Sequence, residues 1–108
     1  MTIRQEWPNS STALATTDET ELLHVYSTNA VGHSGATFYI YATAVGGTAT
    51  VKYISPAGVE KILGTATVPA GGTSVTALDF HFAVPESKLY ITMASGSAAT
   101  VTAEAIIY

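Results

Sequence analysis

The chain contains no cysteine, which removes disulfides and thiolate-bound zinc and leaves packing to hold the fold. Charge is scarce too. Asp, Glu, Lys and Arg make up 11% of the residues, against roughly 25% in ordinary soluble domains. The basic residues Arg4, Lys52, Lys61 and Lys88 are scattered along the chain, and the eight carboxylates leave a net charge of −4. Phosphate recognition relies on clustered Lys and Arg that release counterions, so no direct nucleic-acid binding is expected. The same scatter disfavours an anionic membrane surface. No apolar run approaches the ~18 residues of a membrane helix. Residues 1–8 hold no signal-peptide core, which points to a protein made in the cytoplasm.

What is present is strand and turn. Hydrophobic residues reach 47% of 108, enough for one domain with one core. Residues 1–20 are polar and rich in Ser and Thr, carry Trp7-Pro8, and read as an N-terminal arm with at most one short strand around Thr2–Trp7. Thr16-Thr17-Asp18-Glu19 has the spacing of a capping box, but no amphipathic helical run follows, so a turn is expected there. Residues 21–108 then read as the folded body.

Within that body, candidate strands cover residues 22–27, 36–45, 48–54, 59–68, 73–84, 88–94 and 98–107. The segment 36–45 (ATFYIYATAV) is rich in the aromatic and β-branched residues that suit a pleated surface. Gly46-Gly47 after it suggests a tight hairpin into 48–54. Ser55-Pro56-Ala57-Gly58 has the residues of a type I turn. In 73–84, Thr76, Leu78, Phe80, Phe82 and Val84 alternate with more polar positions, and in 88–94 Leu89, Ile91 and Met93 share a face. Turn signals every 8–12 residues or so indicate an all-β fold: an antiparallel β-sandwich, jelly-roll-like, with seven to eight strands.

Two features point outward from the core. In 36–45 one face carries Phe38, Ile40, Ala42 and Ala44, and the other carries Tyr39, Tyr41, Thr43 and Val45. A strand with two apolar faces needs a second burial surface. The end, Ala105-Ile106-Ile107-Tyr108, is also apolar. The low charge has two readings: a solvated surface built from Thr, Ser and Gly, or a surface covered by other subunits.

Candidate chemistry is sparse. Gly32-His33-Ser34-Gly35 resembles a nucleophile elbow but lacks a residue before the second glycine and has no following helix, so a loop is the better reading. Asp79 and His81 share a strand face, and His24 and His33 could join them on a metal. A site needs three or four converging ligands, and surface polar residues are the plainer account. Glu60, Asp79, Glu86 and Glu104 supply carboxylates for glycoside chemistry only if two face each other across a cleft. The histidines could sense pH, though nothing singles them out. Trp7, Tyr26, Tyr39, Tyr41, Tyr53, Tyr90 and Tyr108 could form a stacking platform for sugars, or lie at sheet edges with their hydroxyls in water. No catalytic, cofactor or metal residue is assigned, and no enzymatic activity is expected.

The polar segment 1–20, the strand-and-turn body 22–108 and turns such as Val45-Gly46-Gly47-Thr48 and Val68-Pro69-Ala70-Gly71-Gly72 resemble, in composition and layout, the capsid decoration (cement) proteins of tailed bacteriophages. The resemblance implies a virion structural protein on the capsid exterior, a homotrimer whose partner is the major capsid protein, stabilising the shell without a cofactor. In that setting the interface would use Ile3, Trp7, Leu14, Tyr39, Tyr41, Ile107 and Tyr108, with the arm as a clip whose removal leaves the fold intact. The alternatives are a carbohydrate- or receptor-binding sandwich and a tail or baseplate component.

Overall fold

Alternating residues turn a strand's apolar positions to one side, and the computed structural model shows where those sides meet. It describes residues 5–8, 11–25, 34–82, 84 and 86–108. These form β1 (Gln5–Pro8), β2 (Thr12–Leu14), β3 (Thr20–Val25), β4 (Ala36–Ala42), β5 (Gly47–Ile54), β6 (Glu60–Val68), β7 (Thr76–Phe80), β8 (Ser87–Met93) and β9 (Ala99–Ile107). Sheet A runs β1–β9–β4–β7, with β2 continuing β1 along the same edge of β9; sheet B runs β3–β8–β5–β6. Every pairing is antiparallel. The protein is an all-β sandwich.

Its connectivity is that of one long hairpin folded back on itself. β5 pairs with β6, β4 with β7, β3 with β8 and β2 with β9, and these nested pairs fall alternately in sheets B and A. Two cross-pairings, β4 with β9 and β5 with β8, stitch the layers into complete sheets. This is the jelly-roll arrangement.

The tip of the hairpin behaves as its sequence indicates. Gly58 N donates to Ser55 O at 2.8 Å and Ser55 N donates to Val59 O at 3.0 Å. Gly58 has φ 81°, so a type I turn ends in a left-handed glycine. Gly46-Gly47 does not behave as expected. β4 and β5 lie in different sheets, so residues 43–46 cross between layers instead of forming a hairpin. Neither glycine has positive φ. A Cβ on Gly46 would strike the carbonyl oxygen of Val68, and one on Gly47 that of Thr92. Close backbone passage, not turn geometry, requires glycine here.

Two other expectations are revised. Residues 73–84 do not form one strand. β7 ends at Phe80 opposite Ala36, because just before Ala36 the amides of Ser34 and Gly35 donate instead to Tyr108 O. Phe82 turns outward while Val84 is buried. The described part of segment 1–20 is not a free arm. Trp7 lies opposite Ala105 and Thr12 opposite Val101, so removing residues 1–15 strips hydrogen bonds from an edge of β9. The turn is as expected, with Asp18 N donating to Thr16 Oγ1 at 3.1 Å, and β1 overlaps the short strand expected around Thr2–Trp7.

Phe38, Ile40, Val51, Leu89, Ile91, Val101 and Ile107 fill the space between the sheets, all fully buried. Phe38 meets Phe80 edge-on at 5.9 Å, a favoured aromatic geometry. Between Val51 and Lys52 the β5–β6 register slips from Gly64 to Ile62. The bulge lets Leu63 pack on the core and gives the Phe80 ring room over Gly64, where an added Cβ would lie 3.1 Å from it.

Among the described residues one buried side-chain group is unsatisfied. Ser87 is 0% exposed and its Oγ has no hydrogen-bond partner. A buried hydroxyl without a partner costs about 1–3 kcal/mol. Ser87→Ala is therefore expected to be neutral or to stabilise by about 1 kcal/mol, while Leu89→Ala, two positions along the same face, loses about 2–5 kcal/mol. Urea unfolding of the two variants against wild type checks the opposite signs.

Candidate functional site

The two outer faces of the sandwich differ in chemistry. On sheet B, Lys88 and Tyr90 of β8, Lys52 of β5 and Glu60 of β6 face outward, as do Glu21 and His24 of β3, which the register shift between Glu21 and Leu23 brings to the same side. Lys52 Nζ donates to Glu19 Oε1 at 2.6 Å and sits 4.6 Å from the Tyr90 ring centroid. Tyr90 OH donates to Glu60 Oε1 at 2.9 Å. Lys88 lies 3.1 Å from Glu21 and 3.5 Å from Glu60, and His24 lies 2.6 Å from Glu86. Partial burial and the Glu60 bond push the Tyr90 hydroxyl up to about 12. The Tyr90 hydrogen bond holds Glu60 below its ordinary value, and the Glu21 bond raises Lys88. Both lysines of this face are thus engaged by carboxylates.

The outer face of sheet A is built differently. Tyr39 and Tyr41 project from β4, half-buried, with Glu104 and Thr102 of β9 directly opposite them and Ile106 opposite Thr37. Among the described residues no lysine or arginine lies on this sheet. At the β7 side, Asp79 Oδ1 accepts from Thr37 Oγ1 at 2.8 Å and from Tyr108 OH at 3.2 Å. His81 Nε2 lies 3.3 Å from Asp79 Oδ2. The Thr37 bond, with His81 and Tyr108 adding to it, holds the Asp79 carboxyl below its ordinary value.

The residues singled out for an interface do not form one surface. Tyr39 and Tyr41 share the outer face of sheet A, and Tyr108 lies at its margin, tied to Asp79. Leu14 is half-buried against the core. Ile107 is not available to a partner: it is 1% exposed because it shares the inward parity of Val101, Ala103 and Ala105. The outward residue of that pair is Ile106. Trp7 is placed in β1, but its side chain lies outside the described residues, as do Ile3 and Tyr26. Tyr53 and Tyr90 belong to sheet B, so the tyrosines do not make a single platform.

Catalytic constellations gain no geometry. Glu60 and Glu86 belong to sheet B and its margin, and Asp79 and Glu104 to sheet A, so the four carboxylates divide between the two layers. His24 is bound to Glu86, far in the topology from the Asp79–His81 pair. Gly32 and His33 lie outside the described residues. Among the described residues no three metal-ligating side chains come together. Two shallow depressions, one around Leu14, Thr43 and Ala99, the other around Gly46, Thr67 and Met93, contain no titratable side chain. No helix of the described residues is long and apolar enough to cross a membrane.

No protein-family model matches the chain, and no curated protein does. Among solved structures it is similar to the PBSX exported protein XepA, with a TM-score of 0.72 and 17% identity over 95% of this chain. The chain spans 36% of XepA's length. It is also similar to the Yersinia pseudotuberculosis-derived mitogen, with a TM-score of 0.54 and 7% identity, covering 97% of this chain and 86% of the mitogen. At such identities the likeness is one of fold.

The two hydrogen-bonded networks should respond to pH in opposite directions. Asp79 has a lowered folded-state pKa, so its contribution is present above the ordinary 3.8 and is lost as pH falls through the folded value. Tyr90 has a raised one, so its contribution is full below 10.0 and is lost as pH rises toward about 12. Asp79→Asn is expected to flatten the acid limb of a melting-temperature profile and Tyr90→Phe the alkaline limb. Thermal melts across both ranges check this.

Proposed function

We propose that the chain is a non-enzymatic structural protein of a bacteriophage particle, which decorates and stabilises the capsid shell from outside as a trimer, with the major capsid protein as its partner. The observation that carries this reading is the division of labour between the two outer faces. Sheet B turns to solvent a face whose lysines are already paired with carboxylates. Sheet A offers Tyr39, Tyr41 and Ile106 among threonines, with no described lysine or arginine. Tyrosine is favoured at interfaces because it contributes large apolar area at small entropic cost and keeps a polar tip, and depletion of charge marks the core of an interface. The shared fold with an exported protein of the phage PBSX supports a phage-related role.

The proposed mechanism is mechanical. A jelly roll is a rigid block, and trimerisation repeats one shell contact three times. Weak single contacts then sum through effective concentration. Docking rests on the face of sheet A and not on a clip formed by segment 1–20, whose described strands already complete an edge of β9.

A second reading has a specific observation in its favour. Tyr39 and Tyr41 lie two residues apart on one face with Glu104 across from Tyr39, so rings and a carboxylate could hold a sugar by stacking and hydrogen bonding. The two readings separate experimentally. Purified protein should co-sediment, saturably, with undecorated shells of the phage that encodes it. Replacing both Tyr39 and Tyr41 by Ser should weaken that binding at least about tenfold, as loss of interface tyrosines does, with little change in melting temperature. Absence of shell binding, together with glycan binding that the same double variant abolishes, would favour the sugar-binding module.

A further inference from the structure

Each outer face carries a tyrosine beside a carboxylate, and the two pairs differ in what completes them. On sheet B the chain supplies a cation of its own. The Tyr90 hydroxyl donates to Glu60 Oε1 at 2.9 Å, and the Lys52 ammonium lies 4.6 Å from the centroid of the Tyr90 ring. A second carboxylate, that of Glu19, accepts from the same ammonium at 2.6 Å. The electron-rich face of the ring attracts the cation, and the carboxylate fixes its position.

Sheet A repeats the first two members. Tyr39 and Glu104 lie directly opposite each other on β4 and β9, so their Cβ atoms stand about 4.5–5.5 Å apart on one face. Tyr41, opposite Thr102, is the diagonal neighbour of Glu104, about 7–8 Å away and within reach of a long side chain. On its other flank Tyr39 faces Ala77 of β7, a side chain too short to cover a ring. Glu104 is exposed and has neither an ion pair nor a side-chain hydrogen bond to the described residues. The basic residues are placed elsewhere. Lys52 and Lys88 are held on sheet B, Lys61 lies on β6, and Arg4 is outside the described residues. Covering a carboxylate without an opposite charge is strongly unfavourable. A protein surface seated on this face therefore has to bring the cation with it.

We propose that the shell surface docking on sheet A presents a basic side chain, arginine or lysine, which lies against Tyr39 and Tyr41 and pairs with Glu104. Arginine fits best, because a planar guanidinium can stack on a ring while its edge donates two hydrogen bonds to a carboxylate. The inference rests on the docking reading above and names the chemistry of its partner. Glu104 is then the group that selects that partner, since a surface bringing a carboxylate or an apolar side chain would leave its charge covered and unpaired.

Dissociation constants for undecorated shells, measured by co-sedimentation of the full chain, test this. Glu104→Gln removes the charge at nearly constant size, and Glu104→Lys reverses it. Thr65→Lys, on β6 of sheet B, changes the net charge as much as Glu104→Gln but away from the proposed contact. Both positions are exposed, so the variants are expected to fold, which circular dichroism melts verify. Glu104→Gln should raise the dissociation constant at least about tenfold and Glu104→Lys further, as loss and reversal of a close interfacial charge pair do. Thr65→Lys should bind as wild type does. Binding that both Glu104 variants leave unchanged or tighten, or that Thr65→Lys weakens equally, overturns the basic contact but leaves docking through the tyrosines standing. A wild type that does not bind shells overturns both.

Discussion

The ladder between β4 and β9 is the constraint on which the rest of the structure depends. The nested pairs alone would make a doubled ribbon with its apolar sides only half covered. Bringing Ala36–Ala42 against Val101–Ile107, from opposite halves of the chain, converts the ribbon into a sheet, and the β5–β8 ladder does the same for the other layer. Such non-local pairings cost loop-closure entropy before they return any contact energy. The return is concentrated where they form: Phe38, Ile40, Val101 and Ile107 are all buried at this ladder. β9 then has one edge left, and β1 and β2 occupy it.

The same closure separates the two outer faces, and it leaves β6 and β7 as borders on one side of the sandwich. Sheet B's ion pairs are exposed, and exposed pairs contribute little to stability. Their consequence is chemical instead: a face whose lysines are already held by carboxylates stays hydrated and has little to offer a partner. Sheet A, with tyrosines and few charges, has less to lose on desolvation. The polarity of the block thus follows from which residues the register sends outward, and needs no distortion of the fold.

Much of this was legible in the residues. Alternation located β4, β5, β6, β8 and β9 to within a few positions, and the Ser55–Gly58 turn could be read from its own residue types. The misreadings have physical causes. Gly46-Gly47 announced a need for glycine but not which need, and a close passage between layers cannot be told from a hairpin without the partner strands. Ile107 was read as part of an apolar end, although the parity of Val101, Ala103 and Ala105 already pointed it inward. Residues 1–20 looked like an arm because β1 and β2 are short and mostly polar. An edge strand needs only backbone hydrogen bonds to join a sheet, and these leave little trace in side-chain pattern. The contrast between the two faces was the least legible feature, since it depends on strand order.

Strand order also separates the two accounts of the chain's low charge. On sheet B, Thr48 lies between Thr67 and Thr92, and Thr65 is exposed beside them, a band of threonines that presents hydroxyls to water and branched carbons to its neighbours. This accounts for a solvated surface that needs few charges. It does not extend to the β6–β7 border, where Val59, Ile62, Val75 and Phe82 are exposed without such a coat. Nor does it account for Tyr39 and Tyr41, which the register could have left as threonines, as it did at Thr37 and Thr102. The charge deficit therefore has two sources. Threonine replaces charge where water is the neighbour, and tyrosine stands where, on the proposed reading, the neighbour is protein.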